Sequence, residues 1–328
     1  MRVVAELCAG PMAYWDGRHA EFEYAGTTWK LSWWPKDTEK HAVARDRHYA
    51  VTCQLAADVP GKDGEDALRA RMDDICLGLS IMTRGTVKVA RFKILAGGKE
   101  KQRCDLKVGG MAGFWLAARP HQEKGPRCPG PFLQWAMPRL EAVKGRVRLS
   151  LLSYLLATAT ESGIGVEAMR VTLASCLEVI RHDYLSRVLV PKKIVKKGHR
   201  PDSFDWVDPP SGLNPGDSVG LASVHRHLAT SLGFDGVSKQ DTFWAWLKNW
   251  RNDALHDPGI DPARLRAEID AVLVVVDYID ALVFAMLEWD LAEGWVSCNG
   301  RERPVLGRVQ FQRSPPRTPI VSFDNKPK

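Results

Sequence analysis

The apolar pattern of this chain changes period once, near residue 136, and that change constrains its fold more than any other feature. Upstream, apolar residues alternate with polar ones, the period of a half-buried strand. Phe22 and Tyr24 alternate before Gly26, and Trp29, Leu31 and Trp33 alternate after it, which predicts a hairpin. Tyr49, Val51, Cys53 and Leu55 repeat the pattern, and Ala90, Phe92 and Ile94 repeat it again before Gly97-Gly98. One helix interrupts, with Leu68, Met72, Ile75 and Leu79 at helical spacing. Residues 1–135 are therefore expected to form a β-rich, sandwich-like domain.

Downstream the spacing is helical. Leu149, Leu152, Leu156 and Ala159 mark one helix from about 148 to 162. Val166, Met169, Leu173, Leu177, Ile180 and Tyr184 mark a second, stopped by Pro191. The polar stretch from about 191 to 217 holds Lys192, Lys193, Lys196, Lys197 and Arg200 and reads as a loop, with those five cations as candidate RNA contacts. Leu221, Val224, Leu228 and Leu232 define a short helix closed by Gly233. The next, opening near Ser238, is expected to bury Phe243, Trp246, Leu247, Trp250 and Ala254. The last starts with Asp261 as N-cap and Pro262 as first helical residue and runs to about Gly294. Beyond 297, Arg301, Arg303, Arg308, Arg313, Arg317 and Pro315-Pro316 suggest a basic tail with a short strand at Val309–Gln312. The expected class is α+β: a β-rich domain over 1–135, an all-α bundle over 136–296 and a tail over 297–328.

Composition bounds the function. The 328 residues suffice for two domains, and a net charge of +7 favours acidic partners such as nucleic acid, weakly. The first residues lack the apolar run of a signal peptide, and no uncharged stretch of about 18 residues offers a membrane span. Seven Cys without a C-x-x-C spacing argue against a disulfide framework and a Cys-rich zinc site. A reduced, cytoplasmic protein with no metal and no cofactor is the expectation.

Chemistry concentrates in Arg251-Asn252-Asp253-Ala254-Leu255-His256, at the end of an amphipathic helical segment. Arg offers a fixed cationic fork for phosphate, and His exchanges protons near neutral pH. With 27 Arg and nine His, roughly 0.7 Arg-x4-His pairs are expected by chance, and requiring Asn after the Arg lowers this to about 0.01. Two further patterns are decoys. Gly163-Ile164-Gly165-Val166-Glu167-Ala168 matches a dinucleotide fingerprint but follows a helix rather than a strand. His225-Arg226-His227 sits in a helical segment, where positions two apart diverge, and reads as surface or groove histidine.

These residues give the helical half, about 136–295, a resemblance to the HEPN superfamily. The Arg251–His256 segment matches that family's Arg-x4-6-His hallmark, Leu177-Glu178 matches a Leu-Glu pair late in its second long helix, and Leu149 to Tyr184 looks like the paired first helices of phage-defence and toxin members. Asp257-Pro258 after the His is a departure that bears on where the helix ends. The resemblance implies a metal-independent endoribonuclease, a homodimer with a composite active site, in an antiviral defence or toxin setting. The β-rich domain would then sense a trigger or bind a regulatory partner. It equally implies an alternative, since many relatives lack activity and bind RNA or a partner protein.

In the implied reaction a ribose 2′-OH attacks the adjacent phosphorus, leaving a 2′,3′-cyclic phosphate and a 5′-OH. His256 serves as base and acid, Arg251 stabilises the phosphorane, Asn252 orients His256 or holds a phosphate oxygen, and Glu178 supports. On an ideal helix Arg251 and His256 lie about 140° apart and about 7.5 Å along the axis, so one helix alone does not aim both at one phosphate. Either the helix frays before Pro258, or two copies each contribute groups. The competing reading is structural: Arg251 pairs with Glu178 or another acid, and Trp250 belongs to the core.

Overall fold

Six strands pair in the order β2-β3-β4-β1-β5-β6, every neighbour antiparallel. They are β1 (Arg2–Cys8), β2 (His19–Tyr24), β3 (Thr27–Trp33), β4 (Val51–Asp58), β5 (Lys88–Ala96) and β6 (Lys99–Cys104). The computed structural model describes residues 1–8, 19–33, 51–60, 63–83, 85–96, 99–104, 130–160, 164–200, 202–233, 241–257 and 259–289. The expected tail and its strand, Tyr49, Gly97-Gly98, Ser238, Pro258 and Gly163 lie outside the described residues. The chain divides into two compact units, one built mainly from Met1–Glu141 and the other from the residues that follow.

The β2–β3 hairpin forms where the alternation predicts it. Its two-residue turn, Ala25-Gly26, has φ of 52° and 68°, the backbone whose twist suits adjoining strands. Period-2 burial then places Phe22, Trp29, Leu31, Cys53, Leu55, Val3, Ala5 and Leu7 on one face. In β5 the register shifts opposite Glu6/Leu7, so Val89, Phe92 and Ile94 are buried while the predicted Ala90 is only half-buried. The extra residue is a bulge, which flips the alternation once.

The alternation predicts a sandwich-like domain; among the described residues the first unit has one sheet with helices. Helix α1 (Glu65–Thr83) lies on the apolar face, with Leu68, Met72, Ile75 and Leu79 fully buried, Asp74 accepting from the Tyr24 hydroxyl at 2.8 Å and Arg69 over the Phe92 ring. Helix α2 (Gly130–Lys144), not anticipated from sequence, packs closely on α1: a Cβ at Gly78 would meet Leu133 at 3.1 Å and Met137 at 3.3 Å. One helix layer therefore meets the burial demand that a second sheet would otherwise meet. The opposite face is a mosaic of charge pairs, among them Arg91–Glu6 and Lys93–Glu100.

The second unit is organised around α4 (Val166–Tyr184), which α3 (Leu149–Ala159), α5 (Leu221–Ser231), α6 (Asp241–His256) and α7 (Leu265–Met286) all contact. Leu173, Ala174, Cys176, Leu177 and Ile180 of α4 are fully buried. A π-helical turn, Leu185–Leu189, continues α4 towards Pro191. Asp183 in the last turn of α4 accepts the backbone N–H of Arg148 at 2.7 Å and so caps the start of α3. The segment read as loop carries a small sheet, β7 (Val195–Lys197) with β8 (Phe204–Trp206), anchored by the fully buried Trp206. A short 3-10 turn, Pro262–Arg264, opens the last helix, with the Asp261 side chain accepting from Ala263 as predicted. Among the described residues no helix is long and apolar enough to cross a membrane.

Candidate functional site

Helix α6 is amphipathic and uses Phe243, Trp244, Leu247, Trp250 and Ala254 to bury itself. Trp244, not Trp246, completes that stripe; Trp246 is half-buried beside Trp250. With Trp250 committed to the core, the side chain of the next residue projects towards α4. Arg251 there contacts Glu178 Oε1 through Nη2, and it donates from Nη1 to Asn252 Oδ1 at 2.7 Å. Glu178 also accepts from Arg181 Nε at 2.8 Å. The fold thus brings Glu178, Arg251 and Asn252 together and adds Arg181, which the sequence reading missed. Its signal was present: Arg181 follows Glu178 by three positions, the spacing of neighbours on one helix face.

His256 stands apart. It is exposed, and no side-chain hydrogen bond or ion pair of it is seen among the described residues. The helix stays regular through it, since Asp257 N–H donates to Asp253 C=O at 2.8 Å. The fraying route is therefore not taken, and ideal geometry keeps Arg251 and His256 about 140° apart around the helix. Asn252 is turned to Arg251, not to His256. Arg170, buried on α4, reaches Gly259 C=O at 3.5 Å and pairs with Glu268, which ties the residues just after His256 to the bundle.

Behind the cluster lies His225, read from sequence as surface or groove histidine and found fully buried. Its Nε2 is 3.0 Å from the Leu177 carbonyl and its Nδ1 is 2.9 Å from the Tyr278 hydroxyl. A carbonyl only accepts, so Nε2 carries the proton and Nδ1 accepts from Tyr278. Burial pushes its pKa down to about 4, against a smaller upward pull from the Leu177 hydrogen bond. The helical pattern gave no way to tell this inward face from an outward one for a residue type found in both places. His227, on another side of α5, stacks on Trp206 with ring centroids 5.5 Å apart and meets the Tyr184 hydroxyl at 3.2 Å.

Lys192, Lys193, Lys196, Lys197 and Arg200 are all exposed, in and around the β7–β8 hairpin. No hydrogen bond or ion pair among the described residues joins them to the Arg251 cluster. Chemically, the Arg251 cluster offers a fixed cationic fork, and His256 offers an accessible imidazole on the same helix. Compared with known families, with curated proteins and with solved structures, the chain matches none.

Proposed function

We propose that this protein is a metal-independent endoribonuclease of the HEPN type, a homodimer whose active site mixes groups from two copies. The observation that supports it most is His256, left exposed on the same regular helix that carries the partly solvent-accessible Arg251 and Asn252 of the sequence motif. Because α6 is regular, the Arg and His of one chain diverge. A two-fold axis near α6 would let the guanidinium of one copy and the imidazole of the other face one phosphodiester. His256 then removes the 2′-OH proton and returns one to the departing 5′-oxygen, while Arg251 offsets the charge on the phosphorane. The first unit would serve as a sensor of a trigger or as a partner-binding module in a defence or toxin system, and the protein would act in the cytoplasm.

A second reading is a non-catalytic HEPN-type module that binds RNA or a partner protein. It is favoured by one feature: Arg251 is already engaged by Glu178. RNA incubated with the purified chain in EDTA separates the two. The nuclease reading expects fragments ending in 2′,3′-cyclic phosphate, a loss of about 10²–10⁴ in rate for His256→Ala and of about 10²–10³ for Arg251→Ala. DNA should resist, since it lacks the attacking hydroxyl. Binding without any cleavage, unaltered in His256→Ala, would leave only the second reading.

A further inference from the structure

Glu178 is shared by two guanidinium groups. Arg181 holds Oε2 through Nε at 2.8 Å, and Arg251 holds Oε1 through Nη2. Each member of the triad stays partly in solvent: 28% of the Arg181 side chain, 22% of Arg251 and 23% of Glu178. Two cations against one anion leave a local surplus of positive charge. Asn252 fixes the Arg251 fork by accepting from Nη1 at 2.7 Å, and Arg251 Nε is buried without a hydrogen-bond partner among the described residues. The triad is therefore fixed and buried where Glu178 Oε1 meets Arg251, and partly open to solvent on its Arg181 side.

A carboxylate and a phosphodiester present the same feature to a guanidinium, two oxygens set for paired N–H donors. The Arg181–Glu178 arm, with both side chains partly in solvent, can open at small cost; the Arg251 arm ends on a buried oxygen, where only another anion can stand in for the carboxylate. We propose that Arg181 and Arg251 together form a two-arginine site for one RNA phosphate, with Glu178 holding the pair assembled until the phosphate takes the place of its carboxylate. Arg181 is then a second phosphate-contacting residue, and Glu178 is a competitor of the ligand as well as its organiser. The inference rests on the ribonuclease reading only for the identity of the ligand.

The test is binding of a 2′-O-methyl RNA 12-mer, which has no free 2′-hydroxyl to attack, to the full chain across a range of salt, followed by fluorescence anisotropy. Arg181→Gln should weaken binding about tenfold and lower the slope of log affinity against log salt by about 0.7, one phosphate contact on a single strand. Arg181→Lys, which keeps the charge without the fork, should fall between. Glu178→Gln should tighten binding several-fold, the opposite of what loss of a merely structural acid does. The proposal is overturned if the wild-type chain does not bind, if folded Arg181→Gln keeps the wild-type affinity and salt slope, or if Glu178→Gln binds no better than wild type. Should Arg181→Gln fail to fold, the Glu178→Gln result decides alone. Arg181-dependent binding by a chain that never cuts RNA would end the nuclease reading and leave this one standing. Cleavage with Arg181-independent binding would do the reverse.

Discussion

Burial sets the charge state of His225. A carbonyl on Nε2 and a hydroxyl on Nδ1 satisfy the neutral ring completely, and no solvent reaches it. A base whose folded pKa, about 4, lies below its ordinary 6.5 binds fewer protons when folded. Its contribution to stability is thus complete above about pH 6.5 and is lost as the pH falls to about 4, by up to about 3 kcal/mol. Urea unfolding at steps across this window should show that loss in the wild-type chain and not in His225→Gln, which should be less stable at neutral pH. Parallel pH curves for the two would contradict it. Asp183 behaves differently. Burial pushes its carboxyl up, but the hydrogen bonds from Arg148 outweigh this and hold it below 3.8. Its share is present above that pH and lost only below it, so the two acid losses separate.

At the scale of elements, the hairpin β2–β3 has one imperfect residue. Ala25 sits at φ 52°, a conformation that costs a β-carbon about 1 kcal/mol and that Asn tolerates better. Ala25→Asn should raise the unfolding free energy by several tenths of a kcal/mol, up to about 1; a lower denaturation midpoint would count against the turn assignment. The β7–β8 hairpin depends on Trp206, which is fully buried, stacks on His227 and donates from Nε1 to Ser223 Oγ at 3.2 Å. Trp206→Ala should cost about 3–5 kcal/mol and speed amide exchange in residues 195–206, measured by mass spectrometry. Unchanged protection there would show that another contact anchors the hairpin. Elements with a strong period were legible from sequence: the four core positions of α1, the Leu173, Leu177, Ile180 and Tyr184 part of the α4 stripe and the cap at Asp261 appear where the spacing puts them, while Val166 and Met169 at the start of that stripe are only half-buried. Elements whose signal is a single residue were not. Helix α2 was not anticipated, and it carries Pro138, a residue that ordinarily breaks a helix, inside it. A lone Trp in a polar stretch carries no period, so β7–β8 went unseen, and the bulge at Ala90 depends on pairing with β1.

The sequence singled out Arg251, Asn252 and Glu178, and the fold gathers them because α4 is in contact with α3, α5, α6 and α7. What no local pattern could reveal is the partner of His256; under the proposed function it is Arg251 of a second copy. The chain should therefore run in light scattering at twice its 36.6 kDa; a monomer at micromolar concentration would leave the composite site without its second half. Subunit complementation tests this most directly. Arg251→Ala and His256→Ala are each expected to be inactive on RNA in EDTA. Mixed and allowed to exchange subunits, they should regain measurable cleavage, because a mixed dimer holds one intact guanidinium and one intact imidazole across the axis. Full wild-type activity with no recovery on mixing, in samples shown to have exchanged, would contradict a site shared between two chains.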